Sequence, residues 1–392
     1  MGAEKIVITG AKRTPIGSFQ GQFSGVATPL LGAAAIKAAC EQANIDTQSV
    51  DEVIIGCVLP AGLGQAPARQ AALAADLPLS AGSTTINKVC GSGMKAVMLA
   101  HDLILAGSAT TIIAGGMESM TDAPYLLPKA RGGYRMGHGQ VLDHMFLDGL
   151  QNPYDNQMMG VFAESCADKY NFSREEQDEF SATSVTRAMT AMQSGEFAAE
   201  ITPVSVKTRR GENIVEQDEE PPRCNLDKIP ALRPAFRKDG TVTAANASKI
   251  SDGAAALVVM SESAAQASGA AVLATIIAHT THSQEPEWFT TAPVGAIRKL
   301  LDKTGWSVDE VDLFEVNEAF AVVTMAAIRD LNLDPAKVNV NGGACALGHP
   351  IGASGARLIV SLINALQQRG LKRGIASLCI GGGEATAIAI EV

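Results

Sequence analysis

Two hydrophobic rhythms alternate along the chain. Ile6-Val7-Ile8 is a short unbroken apolar run that reads as a strand, whereas Leu30, Leu31, Ala34, Ala35 and Ala38 recur at helical spacing over about 29–43. A strand at 53–58 follows, then a helix opening near Cys90 and ending near Gly107, then a strand at 111–116. Far downstream the alternation returns: a helix from Pro293 carrying Val294, Ile297, Leu300 and Leu301, a strand at 311–316, a helix over 353–367 and a strand at 375–382. Strands separated by helices predict an α/β fold.

The two stretches match. Val50-Asp51-Glu52-Val53 recurs as Val308-Asp309-Glu310-Val311, an offset of 258 residues, and each copy lies between a helix and a strand. A four-residue match alone carries little weight, but four elements matching in order point to a duplication. The same offset carries Cys90 to position 348, beside His349, so the repeat places both in equivalent strand-to-helix corners. Residues 121–246 interrupt the pattern with loops, Pro and Gly clusters and amphipathic helices such as 175–193. The expected division is a first half at 1–120 completed by 247–270, an inserted loop domain at 121–246 and a second half at 271–392.

Composition narrows the class. The chain has 392 residues, 46% hydrophobic and 18% charged, and a formal net charge of −10, which argues against broad phosphate-backbone binding and so against nucleic acid. Basic residues do gather from Lys207 through Arg209, Arg210 and Arg223 to Lys238, interleaved with Glu212, Asp218, Glu219 and Glu220; a small-anion site and a solvated mixed-charge face both fit. Ile6 stands where an N-myristoylation motif beginning at Gly2 needs Ser or Thr, and no apolar run approaches a membrane span, so a cytoplasmic protein is expected. The seven cysteines are odd in number and form no C-x-x-C pair, which points to reduced thiols. The six histidines show no ligand spacing with Asp, Glu or Cys, and no metal is expected.

Two cysteines stand in glycine-rich frames, Val89-Cys90-Gly91-Ser92-Gly93 and Cys379-Ile380-Gly381-Gly382-Gly383, with Gly348-His349-Pro350 between them in sequence. One thiol can carry an acyl group, an imidazole can activate it, the other thiol can shuttle a proton, and glycine N–H groups can hold an oxyanion. Cys90 precedes a predicted helix whose N-terminal potential is expected to favour its thiolate.

Asn87 to Lys95, Asn317-Glu318-Ala319-Phe320, Asn341-Gly342-Gly343 with Gly348 to Arg357, and Cys379 to Gly383 together resemble the signatures of thiolases. The resemblance spans essentially the whole chain and is strongest to the biosynthetic type. It implies the thiolase fold, two duplicated α/β halves in a five-layered α-β-α-β-α core with an inserted loop domain. It also implies acetyl-CoA C-acetyltransferase activity: condensation of two acetyl-CoA to acetoacetyl-CoA plus CoA, with CoA thioesters as substrates and no tightly bound cofactor. By the resemblance Cys90 is the nucleophile, His349 the activating base and Cys379 the acid/base of the second step. One oxyanion hole uses His349 and a water held by Asn317; the other uses the N–H groups of Cys90 and Gly381.

For CoA, the resemblance implies Ser248 and Phe236 along the pantetheine arm, Leu150, Met158, Met159, Ala319 and Phe320 lining the tunnel, and Arg223 at the nucleotide end. The loop at 131–138 resembles the one that pairs dimers into homotetramers. Met158, Phe289 and Cys345 depart from the usual residues, and the first two bear on chain length. Three alternatives stay open: a degradative 3-ketoacyl-CoA thiolase, a decarboxylating condensing enzyme, against which Cys379 argues, and a non-catalytic acyl-CoA or lipid binder.

Overall fold

The structure, a computed structural model, describes residues 4–208 and 211–392; Gly2, and Arg209 and Arg210 of the basic run, lie outside the described residues. The first part of the chain forms β1 (Ile6–Arg13), β2 (Gly17–Ser18), α1 (Thr28–Ala43), β3 (Glu52–Gly56), α2 (Pro67–Ala74), β4 (Gly82–Ile86), α3 (Ser92–Leu105) and β5 (Thr111–Ser119). A long excursion carries β6 (Tyr125–Leu126), β7 (Leu142–Asp143), α4 (Met159–Tyr170), α5 (Arg174–Ser194), β8 (Val204–Thr208) and β9 (Gly211–Val215). The chain then returns through β10 (Ser251–Ser261) and α6 (Glu262–Ser268). The last part forms β11 (Ala274–Ser283), α7 (Ala292–Thr304), β12 (Leu313–Val316), α8 (Ala321–Leu331), α9 (Ala344–Leu347), α10 (Ile351–Arg369), β13 (Arg373–Ile380) and β14 (Glu384–Glu391).

Elements end where local chemistry requires. α1 opens with Pro29 in its first turn and stops at Asn44, whose left-handed backbone returns its N–H to Glu41. α5 starts at a reciprocal capping box between Ser173 and Glu176, and α7 stops at left-handed Gly305. Among the described residues, no helix is long and apolar enough to cross a membrane.

The duplication is visible in strand order. One half-sheet runs β4-β3-β5-β10-β1 and the other β12-β13-β14-β11, the two joined by antiparallel pairing of β1 with β11 (Ile6 opposite Ile276). β3, β4 and β5 are mutually parallel, as are β12 and β13. Where the first half has β4, the second has, among the described residues, a parallel bridge from Phe314 to Val338.

Side-chain alternation then builds the layers, because successive strand residues point to opposite faces. Ile54, Ile112 and Leu257 face a middle layer with α3 and α10, while Val53, Ile55, Ile113 and Val258 face α1 and α2. Leu313, Leu378 and Ile390 enclose the same middle layer from the other half-sheet, and Phe314, Ile375 and Ala389 pack outward on α7 and α8. The result is helices, sheet, helices, sheet, helices, as the resemblance implied. Strands buried on both faces account for the unbroken apolar runs in the sequence.

The middle layer positions the site. A Cβ on Gly93 of α3 falls 2.8 Å from the Ala356 nitrogen, and one on Gly355 of α10 falls 2.5 Å from the Met94 nitrogen. Only glycine permits that approach, and it brings the first turns of the two helices, and the corners before them, together.

Candidate active site

All the catalytic candidates but His349, which follows α9, sit just beyond or at the C-terminal end of a strand in one half-sheet or the other, where α/β folds gather their sites. Cys90 lies in the turn from β4 to α3, Asn317 directly after β12, His349 before α10, Cys379 near the end of β13 and Gly381 just past it. The turn at Cys90 is held by Ser92, whose hydroxyl accepts from the Lys88 N–H (2.8 Å) and donates to the Val89 carbonyl (2.7 Å). Val89, a β-branched residue, is forced to φ 46°, a strained conformation that the packing around it must sustain.

The second half meets this turn directly. A Cβ on Gly91 would fall 2.4 Å from Ile380 Cδ1, so Ile380 packs on bare backbone and carries Gly381 with it. The backbone N–H groups of Gly381 and of Cys90 itself act on the Cys90 thiol in the direction of its ionised form. That pair is the one the resemblance assigned to an oxyanion hole. Burial nonetheless pushes the Cys90 thiol up to about 11, those two N–H groups pulling down and buried Glu118 pushing up. The expectation that the helix terminus would favour the resting thiolate is therefore corrected: desolvation outweighs it. Cys379 is fully buried and raised well above the ordinary thiol value, by burial first and then by proximity to Cys90.

His349 is buried, and its surroundings choose its tautomer. Ser354, in the first turn of α10, donates its one hydroxyl proton to the Pro350 carbonyl (2.9 Å), so its oxygen accepts Nδ1–H of His349 (2.6 Å). Nε2 is left as the bare nitrogen and faces Asn317 Nδ2 at 3.5 Å. Burial, reinforced by Arg357, lowers the imidazole to about 3, so it is neutral at working pH. Asn317 is fully buried, and its Oδ1 has no hydrogen-bond partner among the described residues, which leaves an acceptor suited to a water beside Nε2.

His349 is in the wall of a cavity of about 600 Å³. Its wall contains Leu150, Met158, Met159, Phe236, Ser248, Phe320 and Arg223, seven of the eight residues expected along the CoA path. Ala319 is off the wall and contributes its carbonyl, which fixes the Ser248 N–H at 3.0 Å. Phe236 lies on Gly160, where a Cβ would fall 2.2 Å from its ring, and stands edge-on to Phe320. Cys90, Cys379, Asn317 and Gly381 are not part of this wall: Cys90 packs on the cluster holding Met120 and Ile351, and a Cβ on Gly381 would be 3.8 Å from Met159 Cε. Phe289 is buried in one cluster with Cys379, its ring against Phe162 and Phe320, while Cys345 is buried with its N–H on Glu318.

Two contributors escaped the sequence reading. Ser354 stands inside a recognised motif, five residues after His349, a spacing that could have marked it. Glu118 had no local signal: its carboxylate accepts from the N–H groups of Val58, Leu59 and Gly352, tying β3 to α10, and burial raises it to about 7. The histidines show no ligand spacing along the sequence, yet the fold brings His279 of β11 against His101 and Asp102 of α3. Sequence separation hid that cluster.

Comparison with known proteins agrees with this fold. The family model "Thiolase, N-terminal domain" matches residues 6–263 and "Thiolase, C-terminal domain" matches residues 270–392. An acetyl-CoA acetyltransferase of Escherichia coli is 52% identical over 387 residues, 98% of each chain, and one of Pseudomonas aeruginosa is 49% identical over 389 residues, 99% of each. The crystal structure of the Bacillus anthracis acetyl-CoA acetyltransferase superposes with a TM-score of 0.97 at 43% identity, covering 99% of both chains. Duplicated half-sheets, paired glycine-framed cysteines and end-to-end similarity lead to one conclusion: the chain belongs to the thiolase family.

Proposed function

We propose that this thiolase is an acetyl-CoA C-acetyltransferase that condenses two acetyl-CoA to acetoacetyl-CoA and CoA, reversibly, through an acetyl-Cys90 thioester. The observation that carries the reading is the buried neutral His349, its Nδ1–H held by Ser354 and its bare Nε2 turned to Asn317, in the wall of the cavity that gathers the residues expected along CoA.

In the first half-reaction, the Cys90 proton passes to His349 Nε2 as sulfur attacks the thioester carbonyl. The departing CoA thiolate takes the proton of Cys379. In the second, the Cys379 thiolate removes a proton from the methyl of a new acetyl-CoA, whose carbanion attacks acetyl-Cys90. The Cys90 thiolate then leaves and recovers its proton from His349. Both thiols and the imidazole begin and end the cycle neutral, as burial demands, and between the half-reactions the opposite charges of the His349 imidazolium and the Cys379 thiolate offset one another. Asn317 would hold a water for the oxyanion shared with His349. Side chains and CoA thioesters supply every atom the steps use.

Ser248, Phe236, Phe320 and the methionines would line the pantetheine arm, with Arg223 toward the nucleotide. Residues 121–246, which supply much of this wall, would act as the loop domain between halves 1–120 with 247–270 and 271–392. The exposed apolar side chains of Tyr125, Leu127, Tyr134, Met136 and Val141 support homotetramer assembly through the loop between β6 and β7. Seven free cysteines suit a cytoplasmic location.

The test is thiolysis of 3-ketoacyl-CoA thioesters of increasing length by wild type and Cys90→Ala. Cleavage confined to acetoacetyl-CoA and lost in the variant is the expected result. Comparable rates on long thioesters would make the enzyme degradative, and cleavage independent of Cys90 would overturn the mechanism.

A further inference from the structure

His101 and Asp102 lie on α3 of the first half, and His279 on β11 of the second. The 1.5 Å rise per helical residue puts His101 about 14 Å along α3 from Ser92, well away from the catalytic turn. His279 Nε2 is 3.3 Å from His101 Nδ1 and 2.9 Å from Asp102 Oδ1, and His101 Nδ1 is 3.0 Å from the same oxygen. Three ligand atoms of the types that hold transition metals thus converge on one point.

Their spacing is that of a coordination sphere. Metal–nitrogen and metal–oxygen bonds of about 2.0–2.1 Å give ligand–ligand edges of about 3.3 Å in a tetrahedron and about 2.9 Å in an octahedron. The three measured edges span those values. We propose that His101, Asp102 and His279 form a binding site for a borderline divalent transition metal such as Zn²⁺, bridging the two halves of the fold.

The backbone is arranged to deliver His279. Regular alternation would send Ile276 and Ala278 to the same face, yet Ile276 packs in the middle layer and Ala278 in the outer one. The ladder between β11 and β14 shifts register between those two residues, and this bulge turns His279 toward α3. The rings of His101 and His279 meet edge-on, with centroids 4.9 Å apart.

Lys303, which caps the His279 carbonyl at 3.2 Å, is a nearby cation that moderates affinity. Asp102 is half-exposed, so the metal can enter from solvent and keep water in its remaining positions. Two imidazoles and one carboxylate favour Zn²⁺, Co²⁺, Ni²⁺ or Cu²⁺ over Mg²⁺ or Ca²⁺.

The experiment uses the tag-free full-length protein, chelator-treated and reduced. CoCl2 is titrated while visible d–d absorption is followed, and ZnCl2 is titrated by calorimetry. One metal per chain is expected, with His279→Gln and Asp102→Asn each weakening binding at least tenfold and His138→Gln, on an exposed loop, having no effect. A rise in melting temperature with Zn²⁺ that is lost in His279→Gln is expected from a bridge between the halves. Acetoacetyl-CoA thiolysis by each variant reports that it is folded. Binding unchanged in His279→Gln, thiolate-to-Co²⁺ charge transfer marking a cysteine site, or no saturable binding up to millimolar metal would each overturn the proposal.

Discussion

Ser354→Ala tests the reading of the site where geometry makes it sharpest. The hydroxyl of Ser354 is committed to the Pro350 carbonyl, and its oxygen is the acceptor for His349 Nδ1–H at 2.6 Å. Removing it leaves a buried N–H with no partner, which costs about 1–3 kcal/mol of stability. Catalysis suffers separately. When Nε2 accepts the Cys90 proton the ring becomes an imidazolium, and Nδ1–H···Oγ becomes a bond from a charged donor, worth about 1.5–3 kcal/mol. At about 1.4 kcal/mol per factor of ten, kcat/KM should fall roughly 10- to 100-fold. Because Ser354 is a positioning residue off the CoA cavity wall, the KM for CoA should stay nearly constant while kcat carries the loss. Steady-state thiolysis of acetoacetyl-CoA, with urea unfolding in parallel, separates the two effects. A folded Ser354→Ala enzyme within twofold of wild-type kcat would refute the claim that this hydroxyl orients the base.

Three further outcomes follow from the packing. Gly355→Ala gains about 1 kcal/mol of helix propensity, but its Cβ would lie 2.5 Å from the Met94 nitrogen, so α3 and α10 must separate; a lower urea midpoint and lower kcat are expected, and a more stable variant would show that the close approach is not needed. His349 has a folded value of about 3 against 6.5 in the open chain, so between pH 4 and 6 the unfolded state holds one more proton; its contribution to stability, present above pH 6.5, is lost as pH falls toward 3. His349→Asn should therefore reduce the slope of unfolding free energy over pH 4–6 by about 1.4 kcal/mol per pH unit, read from urea titrations. Phe289→Ala opens space beside Cys379 and Phe320 and should raise the kcat/KM ratio of six- to four-carbon 3-ketoacyl-CoA by roughly 10- to 100-fold; an unchanged ratio would remove Phe289 from chain-length control.

Local pattern alone determined much of this molecule. Apolar spacing at 29–43 and the run at 111–116 mark α1 and β5 because hydrophobic periodicity records which face each element buries, and both elements lie within a few residues of those bounds. The repeated Val-Asp-Glu-Val strings record the duplication, and the glycine-framed cysteines record the chemistry, because a thiol beside bare backbone has few other uses. Other features depend on residues far apart in the chain, whose meeting no local period encodes. The contact of Gly93 with Ala356 brings together the helices that follow Cys90 and His349. Burial, a property of the whole fold, raises the Cys90 thiol where the helix terminus alone would lower it. Glu118 reaches the site because β5 ends where β3 and α10 meet, and His279 joins His101 and Asp102 because a bulge in β11 turns it to the face where α3 packs. Sequence supplied the groups and their likeness to known ones; tertiary packing decided their neighbours, and with them the charge each can bear.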